Sequence, residues 1–209
     1  MSEDPYRRMA AWYDRIFEPM NHALRLIGLR MYEPEPGMSV LDVGCGTGVH
    51  LDLYRKYRCA LFGIDVSPSM LEIAKRRLGG EAELRLADAA ELPYADATFD
   101  LIISMLALHE MHPATRSAVL RQVKRVLKHS GRLLLIDFHP GPIRPIRGWL
   151  TKAVIFLSEV AAGGEHFRNY RQFMAAKGLV PLIEANSLMI EKHKVVGGGA
   201  LGVFLLSRS

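Results

Sequence analysis

The fold is decided by the stretch VLDVGCGTG, residues Val40–Gly48. An apolar run with one acid near its end leads into three glycines at alternate positions. The residues from His50 to Tyr57 are then polar and helix-compatible. Glycine is needed where the backbone turns sharply and where a ligand approaches main-chain N–H groups closely. The pattern therefore predicts a buried parallel strand, a tight turn and a helix, the opening of a nucleotide-binding α/β sheet.

The glycine spacing and the acid before it argue against a pyrophosphate ligand. The turn reads Gly44-x-Gly46-x-Gly48, not the G-x-G-x-x-G of dinucleotide enzymes. Asp42 would repel a pyrophosphate on the helix N-terminus, where anions are otherwise favoured. It suits instead a cationic ligand such as S-adenosylmethionine, which carries a sulfonium and an ammonium and no phosphate. Asp65 follows at 65 − 42 = 23 positions, close to the spacing of about 20 residues expected of an acid that holds ribose hydroxyls.

Four segments recur in the order of a known family: Val40–Gly48, Gly63–Leu71, Ala87–Asp100 and Leu133–Asp137. Together they resemble the class I S-adenosylmethionine-dependent methyltransferases. The resemblance implies an α/β fold, a Rossmann-like doubly wound sheet of seven mostly parallel strands with an antiparallel last strand and an N-terminal helical cap. It implies a single methyltransferase domain over residues 1–209. Within it we expect a helical cap at 1–37, a cofactor-binding core at 38–142, variable acceptor-side helices at 143–177 and C-terminal strands at 178–209.

The resemblance also implies S-adenosylmethionine as the cofactor and places its binding residues. Asp65 is expected to hold the ribose, Asp88 to accept from the adenine amino group, and the Ala89 amide to donate to the ring. The main chain near Ser104 is expected beside the methionine moiety. The complete expected set is Asp42, Gly44, Cys45, Gly46, Gly48, Asp65, Val66, Ser67, Met70, Asp88, Ala89, Ser104, Met105 and His109.

The methyl acceptor is less constrained. The pair Tyr13-Asp14, with Met20-Asn21 after it, looks like the start of ubiquinone/menaquinone-biosynthesis methyltransferases and of bacterial phosphatidylethanolamine N-methyltransferases. We therefore expect a small-molecule or lipid-like acceptor, either a quinone precursor or an amine headgroup. The candidate catalytic residues are His109, His139 and Tyr13, with His166 as a further base, because an unperturbed histidine has a pKa of about 6.5. An amine that is already neutral in a dry pocket would need no base.

Two other classes of site are disfavoured. Enzymes that methylate nucleic-acid bases usually carry an acid or Asn followed by Pro-Pro and an aromatic where this chain has Ser104-Met105-Leu106-Ala107, so no nucleic-acid partner is expected. The run from His109 to His112 lacks the HExxH spacing, and no metal is expected. Cys45 and Cys59 form no disulfide framework, so a reducing, cytoplasmic location is the expectation.

The segment 144–157 leaves three interpretations open. Arg144, Arg147, Trp149 and Lys152 precede the apolar run AVIFL at 153–157. A basic flank with a tryptophan on a short apolar helix is the composition of a membrane-surface segment. It equally fits a lid over an apolar acceptor or a plain packed helix. No apolar run reaches the roughly 18 residues of a membrane span, and the chain does not open like a signal peptide.

Local signals predict the remaining boundaries. A helical prelude is expected from Tyr6 to Tyr32, and a helix capped by Ser67 is expected to run to about Leu78. Pro113 should begin a helix that ends at Ser130-Gly131, and a later helix should cover about Tyr170–Lys177. The glycine triplet at 197–199 suits a hairpin whose last strand inserts antiparallel into the sheet.

Two alternatives to a methyltransferase remain at this point. One is a dinucleotide-dependent oxidoreductase, which requires the other glycine spacing and tolerates Asp42 poorly. The other is a protein that binds S-adenosylmethionine without catalysis.

Overall fold

The structure is a computed structural model of the 209-residue chain, and it describes residues 10–144 and 147–208. Its strands are β1 Ser39–Val43, β2 Ala60–Asp65, β3 Ala82–Leu86, β4 Phe99–Met105, β5 Leu127–Phe138, β6 Leu188–Val196 and β7 Leu201–Arg208. They form one seven-stranded sheet in the order β3-β2-β1-β4-β5-β7-β6.

Seven α-helices and three short 3₁₀ turns connect and flank these strands in the described ranges. The helices are α1 Ala10–Met31, α2 Val49–Asp52, α3 Pro68–Leu78, α4 Pro113–Val126, α5 Arg147–Ala162, α6 Gly164–Ala175 and α7 Leu179–Ala185. The 3₁₀ turns are Arg55–Tyr57, Leu108–Glu110 and Gly197–Gly199. In the part of the chain that the structure describes, no helix combines the length and the hydropathy needed to cross a membrane.

The sheet confirms the expected fold class. Strand β1 pairs in parallel with both β2 and β4, and β5 pairs in parallel with β4. Strand β7 lies antiparallel between β5 and β6, as the glycine triplet predicted. The order of strands reverses between β1 and β4, and ligands of such sheets bind in the crevice at that switch point. The glycine turn lies directly after β1, at this crevice.

Packing around β1 and β2 brings the glycine turn close to the neighbouring strand. The side chains of Val40, Leu41 and Val43 are fully buried, as expected of a parallel strand covered on both faces. Gly63 of β2 has no room for a side chain, since a Cβ there would lie 2.7 Å from Leu84 Cδ2 and 2.9 Å from Cys45 Sγ. A glycine at 63 therefore lets the turn residue Cys45 pack against β2.

Helix α3 begins and ends where the sequence predicted. The Ser67 side chain accepts a hydrogen bond from the amide of Met70 at 3.2 Å, and Pro68 occupies the first helical position. Gly79 closes the helix in a left-handed conformation with φ of 57°. Residues with the expected capping chemistry thus mark both ends of this helix.

Three predicted helix boundaries are wrong. The helix expected over His50–Tyr57 stops at Asp52, and i→i−3 hydrogen bonds such as that from the Tyr54 amide to Leu51 O tighten the chain into 3₁₀ turns. Helix α4 ends at Val126 instead of Ser130, because Leu127 already pairs with Phe99 at the start of β4. Helix α6 begins at Gly164, about two turns before the expected start.

Candidate cofactor-binding site

A cavity of about 410 Å³ opens at the carboxyl edge of strands β1 to β4. Many of the expected cofactor residues lie on its wall, namely Asp42, Gly44, Cys45, Gly46, Asp65, Val66, Met70, Asp88, Ala89 and Met105. The remaining wall comes from residues that the sequence did not single out for the cofactor: Asn21, Arg25, Thr47, Val49, His50, Ile64, Ala87, Leu106, Ala107, Glu110, Met111, Thr115 and His166.

The strand order sets out these residues along the sheet edge. Asp88 follows β3, Asp65 ends β2, Asp42 lies in β1 and Met105 ends β4. Neighbouring strands are about 4.8 Å apart, so the wall from β3 to β4 extends over roughly 14 Å. The two ends of the cavity therefore have different chemistry, with Asp88 at one end and the residues after Met105 at the other.

Asp65 is tied to the glycine turn. Its Oδ2 accepts a hydrogen bond from the Gly46 amide at 2.8 Å, and its Oδ1 accepts one from the Ser67 amide at 2.9 Å. Hydrogen bonds to a carboxylate are stronger than those between neutral groups. The carboxylate is therefore held rigidly on the cavity wall, where a ribose diol would meet it.

Asp42 is an almost fully buried acid of the cavity wall. Its side chain is only 2% exposed, and burial raises its pKa to about 7, although the Arg25 guanidinium of α1 acts in the opposite direction. A buried carboxylate is stabilised by an opposite charge close to it. Asp42 can therefore bind the cationic part of a ligand, as the sequence indicated.

Some described polar atoms of the cavity wall are buried and have no hydrogen-bond partner. In the described part of the chain, Oδ1 of Asn21 and both ring nitrogens of His50 are buried without a hydrogen bond. Burial lowers the pKa of His50 to about 3, with Arg25 adding to the effect, so the imidazole is neutral. Buried polar atoms are nearly always paired, and these atoms suit a polar ligand end.

The donor and acceptor set fits S-adenosylmethionine. Asp42 faces a positive group, Asp65 suits a ribose diol, and Asn21, Arg25 and His50 offer hydrogen bonds to an amino-acid moiety. The wall near Asp42 and Asp65 carries two carboxylates and is a poor place for a pyrophosphate. Neither Asn21 nor Arg25 was expected at the cofactor: Asn21 belongs to the Met20-Asn21 pair used for the acceptor class, and no motif includes Arg25. Their i, i+4 spacing nevertheless places them on one face of α1.

Several expected cofactor residues lie outside the cavity wall and have structural roles. Gly48 is the left-handed N-cap of α2, and a side chain there would meet Ala74 at 3.1 Å. Ser67 caps α3, and the Ser104 hydroxyl donates to Val43 O at 3.1 Å. Gly48, Ser67 and Ser104 therefore stabilise the elements that carry the cavity wall.

His109 is expected at the acceptor, but it lies behind the wall and is only 2% exposed. Its Nδ1 lies 2.7 Å from Oδ1 of Asp137, its amide donates to Oδ2 of Asp137 at 3.2 Å, and its Nε2 lies 3.5 Å from Oε1 of Glu159. Burial alone would lower the pKa of His109, but Asp137 and Glu159 outweigh burial and raise it to about 10. The side chain is thus an imidazolium locked between two carboxylates.

Neither of the other two candidate catalytic residues is found on the cavity wall among the described residues. Nδ1 of His139 accepts from the Gly141 amide at 3.0 Å, and its ring lines a separate small pocket beside Phe138. The Tyr13 side chain lies outside the described residues. Of the four candidate bases, only His166 lies on the described cavity wall, together with Glu110.

The sheet and its cavity define a Rossmann-like α/β protein that binds a nucleoside cofactor. The family model described as a methyltransferase domain matches residues 40–131. Methyltransferase GfsG of Streptomyces halstedii is 32% identical over 202 residues, which cover 90% of this chain and 69% of that protein. Demethylmenaquinone methyltransferase of Thermobifida fusca is 29% identical, covering 73% of this chain and 71% of the relative. This chain belongs to the S-adenosylmethionine-dependent methyltransferases.

A solved structure shows the same fold. A SAM-dependent methyltransferase from Aquifex aeolicus superposes with a TM-score of 0.61 at 21% identity, over 87% of this chain and 88% of that chain. The family assignment confirms S-adenosylmethionine as the cofactor and the chain as an enzyme. The dinucleotide-dependent oxidoreductase and the non-catalytic binder are therefore not the class of this protein.

Proposed function

We propose that this methyltransferase acts on a small or lipid-like acceptor with an apolar body, of the kind of a quinone precursor or an amine headgroup. The observation that carries the proposal is the cavity wall beyond the cofactor residues. Beyond Met105 this wall is formed by the apolar Leu106, Ala107 and Met111 and by three polar residues, Glu110, Thr115 and His166. Small-molecule sites are concave and mostly apolar with a few placed polar groups. The name of the Thermobifida fusca relative, a demethylmenaquinone methyltransferase, supports the same acceptor class.

The chain's own residues mainly position the reactants. When bound, S-adenosylmethionine supplies a methyl group that is activated by its positively charged sulfur. Asp42 and Asp65 would hold the cofactor at one side of the cavity, with Val66, Met70 and Asp88 toward the nucleoside. Holding two reactants in a productive geometry is worth up to roughly 7–11 kcal/mol of the barrier in ideal cases. Leu106 keeps a left-handed backbone with φ of 53°, and its amide donates to Ile136 O at 2.8 Å, which fixes the wall between cofactor and acceptor.

The surface of α5 supports a lipid-like acceptor. Six large apolar side chains among the described residues of this helix are exposed, namely Trp149, Leu150, Val154, Phe156, Leu157 and Val160. Their spacing places them on one side of the helix, whereas Ile155 and Glu159 are buried on the other. A helix with an exposed apolar face and a tryptophan suits the surface of a membrane, and the cations Arg144 and Lys152 are close in sequence. We propose a peripheral lipid contact through residues 144–157.

Labelled S-adenosylmethionine tests the proposed acceptor class. The enzyme is incubated with a cell extract that has been separated into lipid, quinone, RNA and soluble fractions, and the Asp65→Ala variant, which should transfer less label, is run beside it. We expect label in the lipid or quinone fraction, at a level that depends on wild-type Asp65. Label only in RNA would overturn the proposal.

A further inference from the structure

The acceptor end of the cavity is closed by three polar residues from three different elements. Glu110 comes from the 3₁₀ turn Leu108–Glu110, Thr115 from the first turn of α4, and His166 from the first turn of α6. The turn that holds Glu110 follows β4 and is hydrogen-bonded to β5 through the His109 amide and Asp137, whereas Asp88 follows β3, on the far side of β2. The order of the strands therefore separates this end from the nucleoside end.

Glu110 connects the cavity to a buried charged cluster. Its Oε2 lies 3.9 Å from Nδ1 of His166, and its Oε1 lies 3.8 Å from Nε2 of His109. Its main-chain oxygen accepts a hydrogen bond from the Asn169 side chain at 2.7 Å, which fixes the turn. The carboxyl group of Glu110 is thus shared between one buried histidine and one histidine on the cavity wall.

The cluster carries an excess of negative charge. Three carboxyl groups, from Glu110, Asp137 and Glu159, surround the imidazolium of His109. Arg116 is a further cation beside the cluster, and it donates to the carbonyl oxygens of Leu108, His109 and Asn169. For these five described side chains, three carboxyl groups and two cations, the formal charge is −3 + 2 = −1. In a buried site of low effective dielectric constant, this excess acts strongly on a ligand beside Glu110.

We propose that Glu110 and His166 bind the reacting end of the acceptor, and that this end is a neutral or cationic proton donor, a hydroxyl or an amine, and not a carboxylate or a phosphate. The inference rests on the proposed function and narrows its acceptor class. Glu110 accepts a hydrogen bond from the donor group, and an anion in the same place would face the carboxylate. The excess negative charge therefore selects the head group.

His166, beside Glu110, also accepts the proton that the acceptor loses. His166 takes the proton from the oxygen or nitrogen as its lone pair forms the bond to the methyl carbon. The electron pair of the broken methyl–sulfur bond stays on sulfur, so the positive charge lost there reappears on the His166 imidazolium, beside Glu110. Atoms and charge balance without any further reactant.

Substitution of Glu110 by glutamine tests the effect of the negative charge on its carboxyl group. Glu110→Gln keeps the shape of the side chain and the main-chain hydrogen bond from Asn169. Glutamine is nearly the same size as glutamate, and the Glu110 side chain is 27% exposed, so the substitution should not open a cavity in the core. Glu165→Gln is the matched control, because Glu165 is exposed, neighbours His166 in sequence and lies outside the cavity wall.

Calorimetry with three probes of one apolar body tests the inference without turnover. The protein is saturated with S-adenosylhomocysteine and titrated with para-butylphenol, para-butylbenzylamine and para-butylbenzoate. We expect the phenol and the amine to bind wild type and Glu165→Gln at least about tenfold more tightly than the benzoate. In Glu110→Gln the preference of amine over benzoate should fall by about tenfold or more.

Three outcomes would overturn the inference. They are equal binding of benzoate and amine to wild type, an unchanged preference in Glu110→Gln, and no binding of any probe to protein that still binds S-adenosylhomocysteine. Failure of the proposed function is distinguishable, because label confined to RNA would contradict that function while the head-group preference is measured separately.

Discussion

The amide of Gly46 donates a 2.8 Å hydrogen bond to Oδ2 of Asp65, so the turn after β1 and the acid at the end of β2 form one rigid unit. The second oxygen of the same carboxylate holds the Ser67 amide, at the start of α3. One side chain thus fixes the glycine turn and the next helix while it faces the cofactor cavity. Removing it should disturb cofactor binding in two ways, through a lost ligand contact and through a looser turn.

Asp65→Ala should weaken the binding of S-adenosylmethionine by about 1–3 kcal/mol, because a half-buried hydrogen-bonding partner is lost and two main-chain amides lose their acceptor. Calorimetric titration of wild type and variant measures the difference. Asp96→Ala is the control, since Asp96 is exposed and paired with Arg125 far from the cavity wall. Wild-type affinity in Asp65→Ala would remove this residue from the ribose role.

The binding of S-adenosylmethionine should strengthen as the pH rises through about 7 and level off above it. Burial raises the pKa of Asp42 to about 7, and the cationic ligand favours the ionised form, so binding below this pH must release a proton. We expect calorimetry in buffers of different ionisation enthalpy to detect the released proton near pH 6. In Asp42→Asn the affinity should be lower at pH 8 and should lose this pH dependence.

The same carboxyl group should make the ligand-free protein less stable as the pH rises from about 4 to about 7. Its pKa in the folded state is above its unfolded value of about 3.9, so the folded state binds more protons in this window and loses that advantage as the pH increases. Urea unfolding of wild type and Asp42→Asn at several pH values measures the slope. A slope in Asp42→Asn as steep as in wild type would show that another group is responsible.

His109→Ala should destabilise the protein by about 3–5 kcal/mol, because Asp137 and Glu159 would lose the cation between them. The pKa of His109 is raised to about 10, above its unfolded value of about 6.5. Its stabilisation is therefore fully present below pH 6.5 and is lost as the pH rises through about 10. Urea unfolding measures both effects, with the exposed His129→Ala as a control expected to change stability by less than about 0.5 kcal/mol.

A loss below about 1 kcal/mol in His109→Ala would contradict the buried ion pair. Slower turnover without loss of stability would instead return His109 to a role at the acceptor.

Replacing Leu150 and Leu157 by serine should reduce the binding of the protein to anionic lipid vesicles. Both side chains are exposed on the same side of α5, two turns apart, and each buries apolar area on contact with lipid. Co-sedimentation with vesicles of phosphatidylglycerol and phosphatidylcholine measures the effect. Met189→Ser, at another exposed apolar side chain on β6, is the control and should bind like wild type. Equal sedimentation of all three proteins would argue against a lipid contact through α5.

The local chemistry of the chain was enough to predict that ten of the fourteen expected cofactor residues line one cavity, and their roles toward the cofactor stay predictions. The acids at positions 42 and 65, the glycine turn and the cap of α3 are set by near neighbours in sequence, and the structure has them where they were expected. The seven-stranded, mostly parallel sheet and the antiparallel β7 also followed from the resemblance and the glycine triplet. These features depend on backbone geometry that short motifs encode.

The acceptor half could not be predicted, because contacts between distant residues decide it. His109 and Glu110 are neighbours in sequence. The side chain of His109 is hydrogen-bonded to Asp137, 28 positions away, and lies outside the cavity, whereas Glu110 lies on the cavity wall. Arg25 reaches Asp42 only because α1 packs across the sheet, near β5 and β7. The end of α4 likewise depends on the pairing of Leu127 with Phe99. Helix periodicity contains no information on any of these contacts.

Calorimetric titration with S-adenosylhomocysteine and, separately, with NADH tests the central claim that Asp42 and Asp65 shape the crevice for a phosphate-free nucleoside cofactor. We expect saturable binding of S-adenosylhomocysteine at one site, weakened in Asp65→Ala, and no binding of NADH at the same concentrations. Saturable binding of NADH with no heat from S-adenosylhomocysteine would contradict the account.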